Sequence, residues 1–180
     1  MDSIVTSRFL LRPFKPEDVS DIHAVMGDDP DMTWERKPWP LELTEKRLML
    51  RIKHYKEHGF GVWAVIDKAT GEMVGQTGLQ ILEGTNDIEL VSFTAKRWWR
   101  KGVSFETCTA ALMYGFQELN LPKIIAVIRP DNTAAQQLAN KLGFQFVSEG
   151  IAYGIDVFYY ELPHSEFALD CNQCRVCHDE

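Results

Sequence analysis

Residues 123–144 read KIIAVIRPDNTAAQQLANKLGF, and this stretch decides the fold. The β-branched run KIIAVI predicts a buried strand. Asn132 is a good helix N-cap, and Gly143 suits the left-handed residue that follows a helix, so the residues between them are predicted to be helical. A strand that leads through a helix to further strands implies a crossover connection, and hence a parallel strand pair.

The segments on either side of this stretch complete a sheet. Upstream, the β-rich runs FGVWAVID, EMVGQTGLQIL and IELVSFT are joined by the turn signals KATG and EGTND, which predicts a three-stranded antiparallel meander. A helix follows, with apolar and hydroxyl side chains at helical spacing: Phe105, Thr109, Leu112, Phe116 and Leu119. Downstream, FQFV and VFYYEL predict a closing strand pair.

The first 60 residues predict a strand, two helices and a long connection. RFLLRPF reads as a strand, and Pro16 suits the start of a helix. Residues 27–43 lack a clean period and predict a loop or broken helix. Thr44 is predicted to cap a second helix that ends at Gly59. The fold class is therefore α/β, with a mixed, mostly antiparallel sheet and flanking helices. We expect one domain over residues 1–163 and a Cys-rich tail over 164–180.

Composition limits the classes of partner. The chain has 180 residues, of which 45% are apolar and 25% charged, with a formal net charge of -7. The negative charge argues against nucleic acid, and the absence of a long apolar stretch argues against a membrane. We therefore expect a cytoplasmic protein with reduced thiols.

The element order resembles that of the GNAT superfamily of acetyl-CoA-dependent N-acetyltransferases. Within it, TSRFLLRPFKPEDV (residues 6–19) and GEMVGQTGL (residues 71–79) resemble the branch of ribosomal-protein N-terminal (alanine/serine) acetyltransferases. The resemblance runs from Arg8 to Leu162. It implies the GNAT-like acyl-CoA N-acyltransferase fold, acetyl-CoA as co-substrate and a primary amine as acceptor.

The segment RWWRKGVSFE (residues 97–106) is similar to the pyrophosphate-binding loop of this family. The family pattern is Arg or Gln, two residues, Gly, one residue, then Gly or Ala. Arg100 stands where the first glycine is usual, although its guanidinium could pair with a phosphate. Read without the family, the segment is a basic connection between a strand and a helix. The resemblance implies that CoA contacts Arg97, Arg100, Lys101, Gly102, Val103 and Ser104.

The resemblance also implies the groups that act on the thioester. Asn132 would lie near the pantetheine, and Glu89 would relay the acceptor's proton, although it could equally be a plain sheet-surface carboxylate. In the family this strand splays from its parallel neighbour, which implies backbone N–H groups near Val91 and Phe93 as an oxyanion hole. Ala135 and Ala139 occupy positions where relatives often carry a hydroxyl, so no general acid is predicted there.

The acceptor groove is implied to lie at residues 28–39. Trp34, Glu35 and Trp39 are the candidate acceptor contacts, joined by Tyr153 from the end of the sheet. Acidic and aromatic side chains suit a cation. The alternative is a solvated loop held by one tryptophan.

The tail contains possible metal ligands: Cys171, Cys174, Cys177 and His178. Sulfur and imidazole ligands suit Zn²⁺. A free, frayed tail is the simpler interpretation.

Two functions from different classes remain. The first is an acetyl-CoA-dependent N-acetyltransferase acting on a protein or peptide N-terminal α-amine, or on a small amine such as a polyamine or amino sugar. The second is a catalytically silent acyl-CoA-binding or metal-sensing protein on the same scaffold. We predict the enzyme. Its oligomeric state stays open, with a homodimer as one option.

Overall fold

The chain forms a mixed sheet with helices on both faces. The computed structural model describes residues 2–27, 36–169 and 174–178. Within these residues the strands are β1 (Ser3–Val5), β2 (Phe9–Pro13), β3 (Val62–Asp67), β4 (Met73–Ile81), β5 (Ile88–Thr94), β6 (Lys123–Ile128), β7 (Gln145–Ala152), β8 (Ile155–Pro163) and β9 (Arg175–Cys177). The helices are α1 (Val19–Ile22), α2 (Leu41–His58), α3 (Val103–Met113) and α4 (Thr133–Leu142).

The sheet has the predicted mixed topology. Its strand order is β7-β8-β6-β5-β4-β3-β2-β1-β9, and β3, β4 and β5 form the antiparallel meander. The crossover through α3 makes β5 and β6 parallel, and among the described strands they pair at one position, Glu89 opposite Ile125. β6 pairs with β8 along its other edge over its whole length, whereas its pairing with β5 stops at that position, so β5 and β6 separate.

Two apolar layers cover the sheet. On one face α3, the π-helical turn that follows it and α4 bury Leu112, Phe116 and Leu142 in the larger core. On the other face α1 and α2 bury Ile22 and Leu48 in a second core. Each layer follows from an apolar stripe on the helices that cover it.

Two helix boundaries differ from the sequence prediction. The N-cap of α2 is Pro40, so the prediction of Thr44 as the cap was wrong. Thr44 is instead a buried residue within the helix, and its hydroxyl contacts His23 Nδ1 at 2.8 Å. The predicted end of α2 is confirmed, because Gly59 has φ 77°. α3 continues beyond Met113 as a π-helical turn, Tyr114–Glu118.

The two ends of the chain meet at one edge of the sheet. β1 and β9 were not predicted, and they pair antiparallel, with Ile4 opposite Val176. This part of the tail is therefore ordered rather than frayed. The expectation of reduced thiols is also wrong for Cys174, which is disulfide-bonded, whereas Cys108 and Cys177 are free. In the described part of the chain, no helix is both long and apolar enough to span a bilayer.

Candidate active site

The gap between β5 and β6 exposes the backbone of β5. Ala95 N–H donates to the Val74 carbonyl of β4 at 2.9 Å. Because N–H groups alternate in direction along an antiparallel strand, the N–H groups of Phe93 and Val91 also face β4. The prediction that those two N–H groups face the gap was therefore wrong. The N–H of Ser92 faces it instead.

Glu89 lies at the start of this gap and is buried, with 2% of its surface exposed. It sits opposite Gln80 on β4, whose Nε2 donates to Glu89 Oε1 at 2.6 Å. The hydroxyl of Tyr153 donates to the same oxygen. Burial raises the pKa of Glu89 above its ordinary value, and the hydrogen bonds from Tyr153 and Gln80 offset part of that rise.

Tyr153 reaches Glu89 from the turn between β7 and β8. Its backbone is left-handed, with φ 55°. Burial and the Glu89 carboxylate raise the pKa of the Tyr153 phenol, so it remains a proton donor at neutral pH. The sequence therefore placed Tyr153 correctly at the end of the sheet, and the structure joins it to Glu89 rather than leaving it as a separate contact.

The connection from β5 to α3 has the backbone that an anion-binding loop needs. Arg100 has φ 61° and Gly102 has φ 74°. The position that has glycine in the family pattern is therefore left-handed in this chain, which costs an arginine about 1–2 kcal/mol. The Arg100 side chain is exposed and makes no hydrogen bond or ion pair within the described residues. Val103 follows as the first residue of α3, and Lys101 Nζ lies 5.0 Å from the centre of the Trp98 ring.

Arg8, the residue before β2, contacts this loop through hydrogen bonds. Its Nη1 donates to the Lys101 carbonyl at 2.9 Å, and its Nε donates to Glu106 Oε2 at 2.7 Å. Glu106 Oε1 accepts from the Arg8 backbone N–H and from the Thr6 hydroxyl. Burial alone would raise the pKa of Glu106, but these hydrogen bonds and the Arg8 charge hold it below its ordinary value. The sequence analysis missed this brace, although the glutamate after the loop was a signal for it.

The side chains of two other predicted loop residues form contacts within the protein. Arg97 forms an exposed ion pair with Glu72. Ser104 Oγ lies 2.9 Å from Thr94 Oγ1, which ties the start of α3 to the end of β5. Both contacts hold the loop in place beside the β5–β6 gap.

Asn132 has the predicted capping role. Its Oδ1 accepts from Ala135 N–H at 3.1 Å. Ala135 and Ala139 pack against the larger core. The N-terminus of α4, which follows β6, therefore carries an amide but no hydroxyl at these positions.

The predicted acceptor contacts separate into two groups. Trp34 and Glu35, with Asp28, Asp29 and Asp31, lie outside the described residues. Trp39 is 5% exposed within the second core, and Arg47 Cζ lies 4.3 Å from the centre of its ring. The prediction that Trp39 stacks on the acceptor was therefore wrong, because its ring is already covered.

The predicted metal ligands do not form a cluster where the structure describes them. Cys171 lies outside that part of the chain, and a disulfide-bonded Cys174 offers no thiolate. His178 Nδ1 lies 3.1 Å from Asp2 Oδ1. Among the described residues, no three His, Cys, Asp or Glu side chains lie close enough to hold one metal ion.

The chain is similar to known proteins. Residues 8–145 match the acetyltransferase (GNAT) domain family. The chain belongs to the GNAT family of N-acetyltransferases. The YkkB protein of Bacillus subtilis, which is uncharacterised, is 32% identical over 146 residues, covering 79% of this chain and 85% of YkkB.

Solved structures confirm the GNAT fold. A GNAT-family acetyltransferase from Bacillus anthracis superposes with a TM-score of 0.78 at 23% identity, covering 91% of this chain and 99% of that one. The ribosomal L7/L12 α-N-protein acetyltransferase RimL, solved in complex with coenzyme A, gives a TM-score of 0.74 at 16% identity and covers 88% of this chain and 96% of its own. This GNAT protein is thus an N-acetyltransferase that uses an acyl-CoA.

Proposed function

We propose that this GNAT protein transfers an acetyl group from acetyl-CoA to a protein or peptide N-terminal α-amine. The observation that carries the proposal is the buried Glu89 carboxylate at the mouth of the β5–β6 gap. A carboxylate with a raised pKa is a better proton acceptor than an ordinary glutamate. It therefore suits an ammonium that must lose a proton before it reacts.

The reaction is a direct attack. Acetyl-CoA supplies the thioester. Glu89 takes the proton from the ammonium, the neutral nitrogen forms a bond to the acetyl carbon, and the bond from that carbon to sulfur breaks. The nitrogen then loses its second proton to the departing CoA thiolate, which leaves as the thiol, or to water, in which case CoA leaves as the thiolate. Since a thiol has a pKa of about 8.5, the leaving group needs no dedicated acid, in keeping with Ala135 and Ala139.

The backbone and the loop supply the remaining groups. The Ser92 N–H, which faces the gap, is the proposed donor to the thioester oxygen. The left-handed loop at Arg100 and Gly102 and the start of α3 are the proposed source of N–H groups for the pyrophosphate. The amide of Asn132, at the start of α4, is proposed to contact the pantetheine.

An α-amine fits this site better than a lysine side chain. Its pKa is about 8, compared with about 10.4 for lysine, so more of it is neutral at pH 7. The likeness of the fold to RimL supports the same choice. A single buried carboxylate is then sufficient as the base.

Acetylation of a peptide panel tests the proposal. The protein is incubated with acetyl-CoA and peptides that have a free α-amine, a blocked α-amine or a free lysine, and mass spectrometry locates the acetyl group. We expect transfer to the free α-amine. Glu89→Gln should lower kcat more at pH 7 than at pH 9, while Glu118→Gln, an exposed residue at the end of the π-helical turn after α3, should not. Transfer confined to lysines, or an unchanged pH profile for Glu89→Gln, would contradict the proposal.

A further inference from the structure

A hydroxyl network of three side chains, Thr77, Ser92 and Thr107, joins three elements beside the β5–β6 gap. Thr77 of β4 lies opposite Ser92 of β5, and Thr77 Oγ1 is 3.2 Å from Ser92 Oγ. Thr77 Oγ1 is also 3.0 Å from Thr107 Oγ1 of α3. The Ser92 side chain therefore lies on the face of the sheet that α3 and α4 cover. The proposed chemistry uses the backbone N–H of Ser92 but not its hydroxyl.

Ser92 is the part of this network that a ligand in the gap can reach. Thr77 and Thr107 are buried, whereas Ser92 is half-buried. On β5 the half-buried stretch is residues 90–93, and β4 beside it is buried from Met73 to Leu79. Because β4 covers one edge of β5 and α3 covers the face that carries the Ser92 side chain, the access to Ser92 comes from the gap.

The direction of the hydrogen bonds leaves the Ser92 proton available. Each hydroxyl has one proton to donate. Thr107 donates its proton to the Val103 carbonyl at 3.1 Å, so Thr77 is the donor to Thr107, and Ser92 is the donor to Thr77. An O–H···O hydrogen bond is usually about 2.7–2.8 Å long. The contact from Ser92 to Thr77 is longer than this, so the Ser92 hydroxyl can turn to a stronger acceptor.

The thiol of Cys108 does not compete for that proton. Burial raises the pKa of Cys108 to about 12, and a hydrogen bond with Ser92 offsets part of the rise. Cys108 is therefore a protonated thiol at neutral pH. As a thiol it can donate to Ser92 Oγ, which leaves the Ser92 proton free to point into the gap.

The atom of acyl-CoA that gains negative charge as the acetyl group leaves is sulfur. The sulfur and the thioester oxygen are both bonded to the acetyl carbon, so one residue can serve both atoms, the oxygen through its N–H and the sulfur through its hydroxyl. On the β6 side of the gap, Ala135 and Ala139 of α4 offer no hydroxyl. The hydroxyl of Ser92 on the β5 side can take that place.

We propose that the Ser92 hydroxyl donates a hydrogen bond to the CoA sulfur as the carbon–sulfur bond breaks, and so stabilises the departing thiolate. The proton stays on Ser92, because an alcohol is a much weaker acid than a thiol. A donor that is already in place where charge develops lowers the energy of the transition state. The inference rests on the thioester position in the proposed function, but not on the choice of an α-amine as the acceptor.

The pKa of the CoA thiol in the protein–CoA complex tests the inference without an acceptor. It is measured from the ultraviolet absorbance of the thiolate as the pH rises, with the complex of desulfo-CoA, a CoA analogue without the sulfur, as the blank. We expect this pKa to be about one unit higher in Ser92→Ala than in the unaltered protein, a tenfold loss of thiolate stabilisation. Desulfo-CoA should bind both proteins equally in calorimetry. Ser148→Ala, which removes an exposed hydroxyl from β7, should change neither quantity.

Two comparisons separate a donor to sulfur from a hydroxyl that only holds the strands together. Thr77→Val breaks the same hydroxyl contact from its other end but leaves Ser92 its proton, so the thiol pKa should stay at or below its value in the unaltered protein. Ser92→Thr and Ser92→Val have nearly the same shape, and only Ser92→Thr should keep the lower thiol pKa. Circular dichroism checks folding, and this pair decides if Ser92→Ala does not fold.

The outcomes separate this inference from the proposed function. An unchanged thiol pKa in folded Ser92→Ala, a rise in Thr77→Val as large as that in Ser92→Ala, or loss of desulfo-CoA binding in Ser92→Ala overturns the role of Ser92. Acetylation of an α-amine together with an unchanged thiol pKa overturns that role and leaves the proposed function standing. A raised thiol pKa in Ser92→Ala without acetylation of any α-amine supports Ser92 and overturns the proposed acceptor.

Discussion

Arg8 and Glu106 are 98 residues apart in the chain and are joined by two hydrogen bonds, one from the Arg8 backbone N–H at 2.9 Å and one from Nε at 2.7 Å. The same arginine also donates to the Lys101 carbonyl. The side chain that immediately precedes β2 thus fixes the loop that precedes α3. The shape of the proposed pyrophosphate loop depends on a contact from the opposite end of the domain.

Removing this brace should loosen the loop. Arg8→Ala should lower the free energy of unfolding by about 1–2 kcal/mol, because Glu106 then loses a charged partner, and it should weaken CoA binding severalfold. Denaturant titration and calorimetry with CoA measure the two effects. Lys53→Gln, which removes an exposed ion pair with Glu57, serves as the control and should change neither. An Arg8→Ala protein with unaltered CoA binding would show that the loop holds its shape alone.

Substitutions of Arg100 should separate backbone strain from phosphate pairing. Arg100→Gly should stabilise the CoA-free protein by about 1 kcal/mol, since glycine adopts φ 61° without strain. Arg100→Ala should weaken CoA binding by about 1.5–3 kcal/mol, and Arg100→Gly by less, if the guanidinium pairs with a phosphate. Calorimetry at low and high salt measures this, and the loss should shrink as salt rises.

Asn120→Gly is the matched control for Arg100. It relieves another left-handed residue, with φ 52°, and should leave CoA binding unchanged. Tighter CoA binding by Arg100→Ala would mean that the arginine only obstructs the loop.

Tyr153→Phe should move the acid limb of the pH–rate profile. The Tyr153 hydroxyl stabilises the Glu89 carboxylate, so its removal should raise the pKa of Glu89 further. Less of the base is then ionised at a given pH, and the acid limb of kcat/KM should shift upward by roughly half a pH unit or more. Tyr159→Phe is the control, because its hydroxyl binds the Ile151 carbonyl on the same hairpin. A downward shift would contradict the assignment of Tyr153 as the donor.

Replacing Gln76 tests the cost of a buried side-chain amide that has no hydrogen-bond partner among the described residues. It is fully buried on β4, and neither Nε2 nor Oε1 has a hydrogen-bond partner among the described residues. Gln76→Met should therefore stabilise the protein by about 1–3 kcal/mol in thermal or denaturant melts. The comparison is Gln80→Met on the same strand, which should destabilise, since Glu89 would lose a donor. If Gln76→Met destabilises, the amide has a partner in solution.

Much of the fold follows from local signals in the sequence. The meander, the strand–helix stretch at residues 123–144 and the glycine at the end of α2 were all predicted, because propensity, apolar spacing and caps act over a few residues. β1 and β9 were not, because strands of three residues carry little pattern of their own. The start of α2 was predicted too late in the chain, at Thr44. The actual N-cap is Pro40, which has no capping side chain to reveal it in the sequence.

The candidate site was predictable in part. The resemblance to relatives predicted Glu89, Asn132 and the loop at Arg100 as site residues, and the backbone of Arg100 has the positive φ that favours the glycine it replaces. The direction of the Val91 and Phe93 N–H groups was not predictable, because it depends on which residue of β4 lies opposite. The resemblance to the family placed Trp39 in the acceptor groove, whereas the structure buries it in the second core.

The sequence by itself determined the order of strands and helices, the caps of α4 and the residue types available for catalysis. Only the tertiary structure decided that Tyr153 meets Glu89 and that Arg8 holds Glu106. The physical reason is distance along the chain. Local conformation is set by neighbours within a few residues. Hydrogen-bond partners and burial are set by segments that meet only when the chain folds.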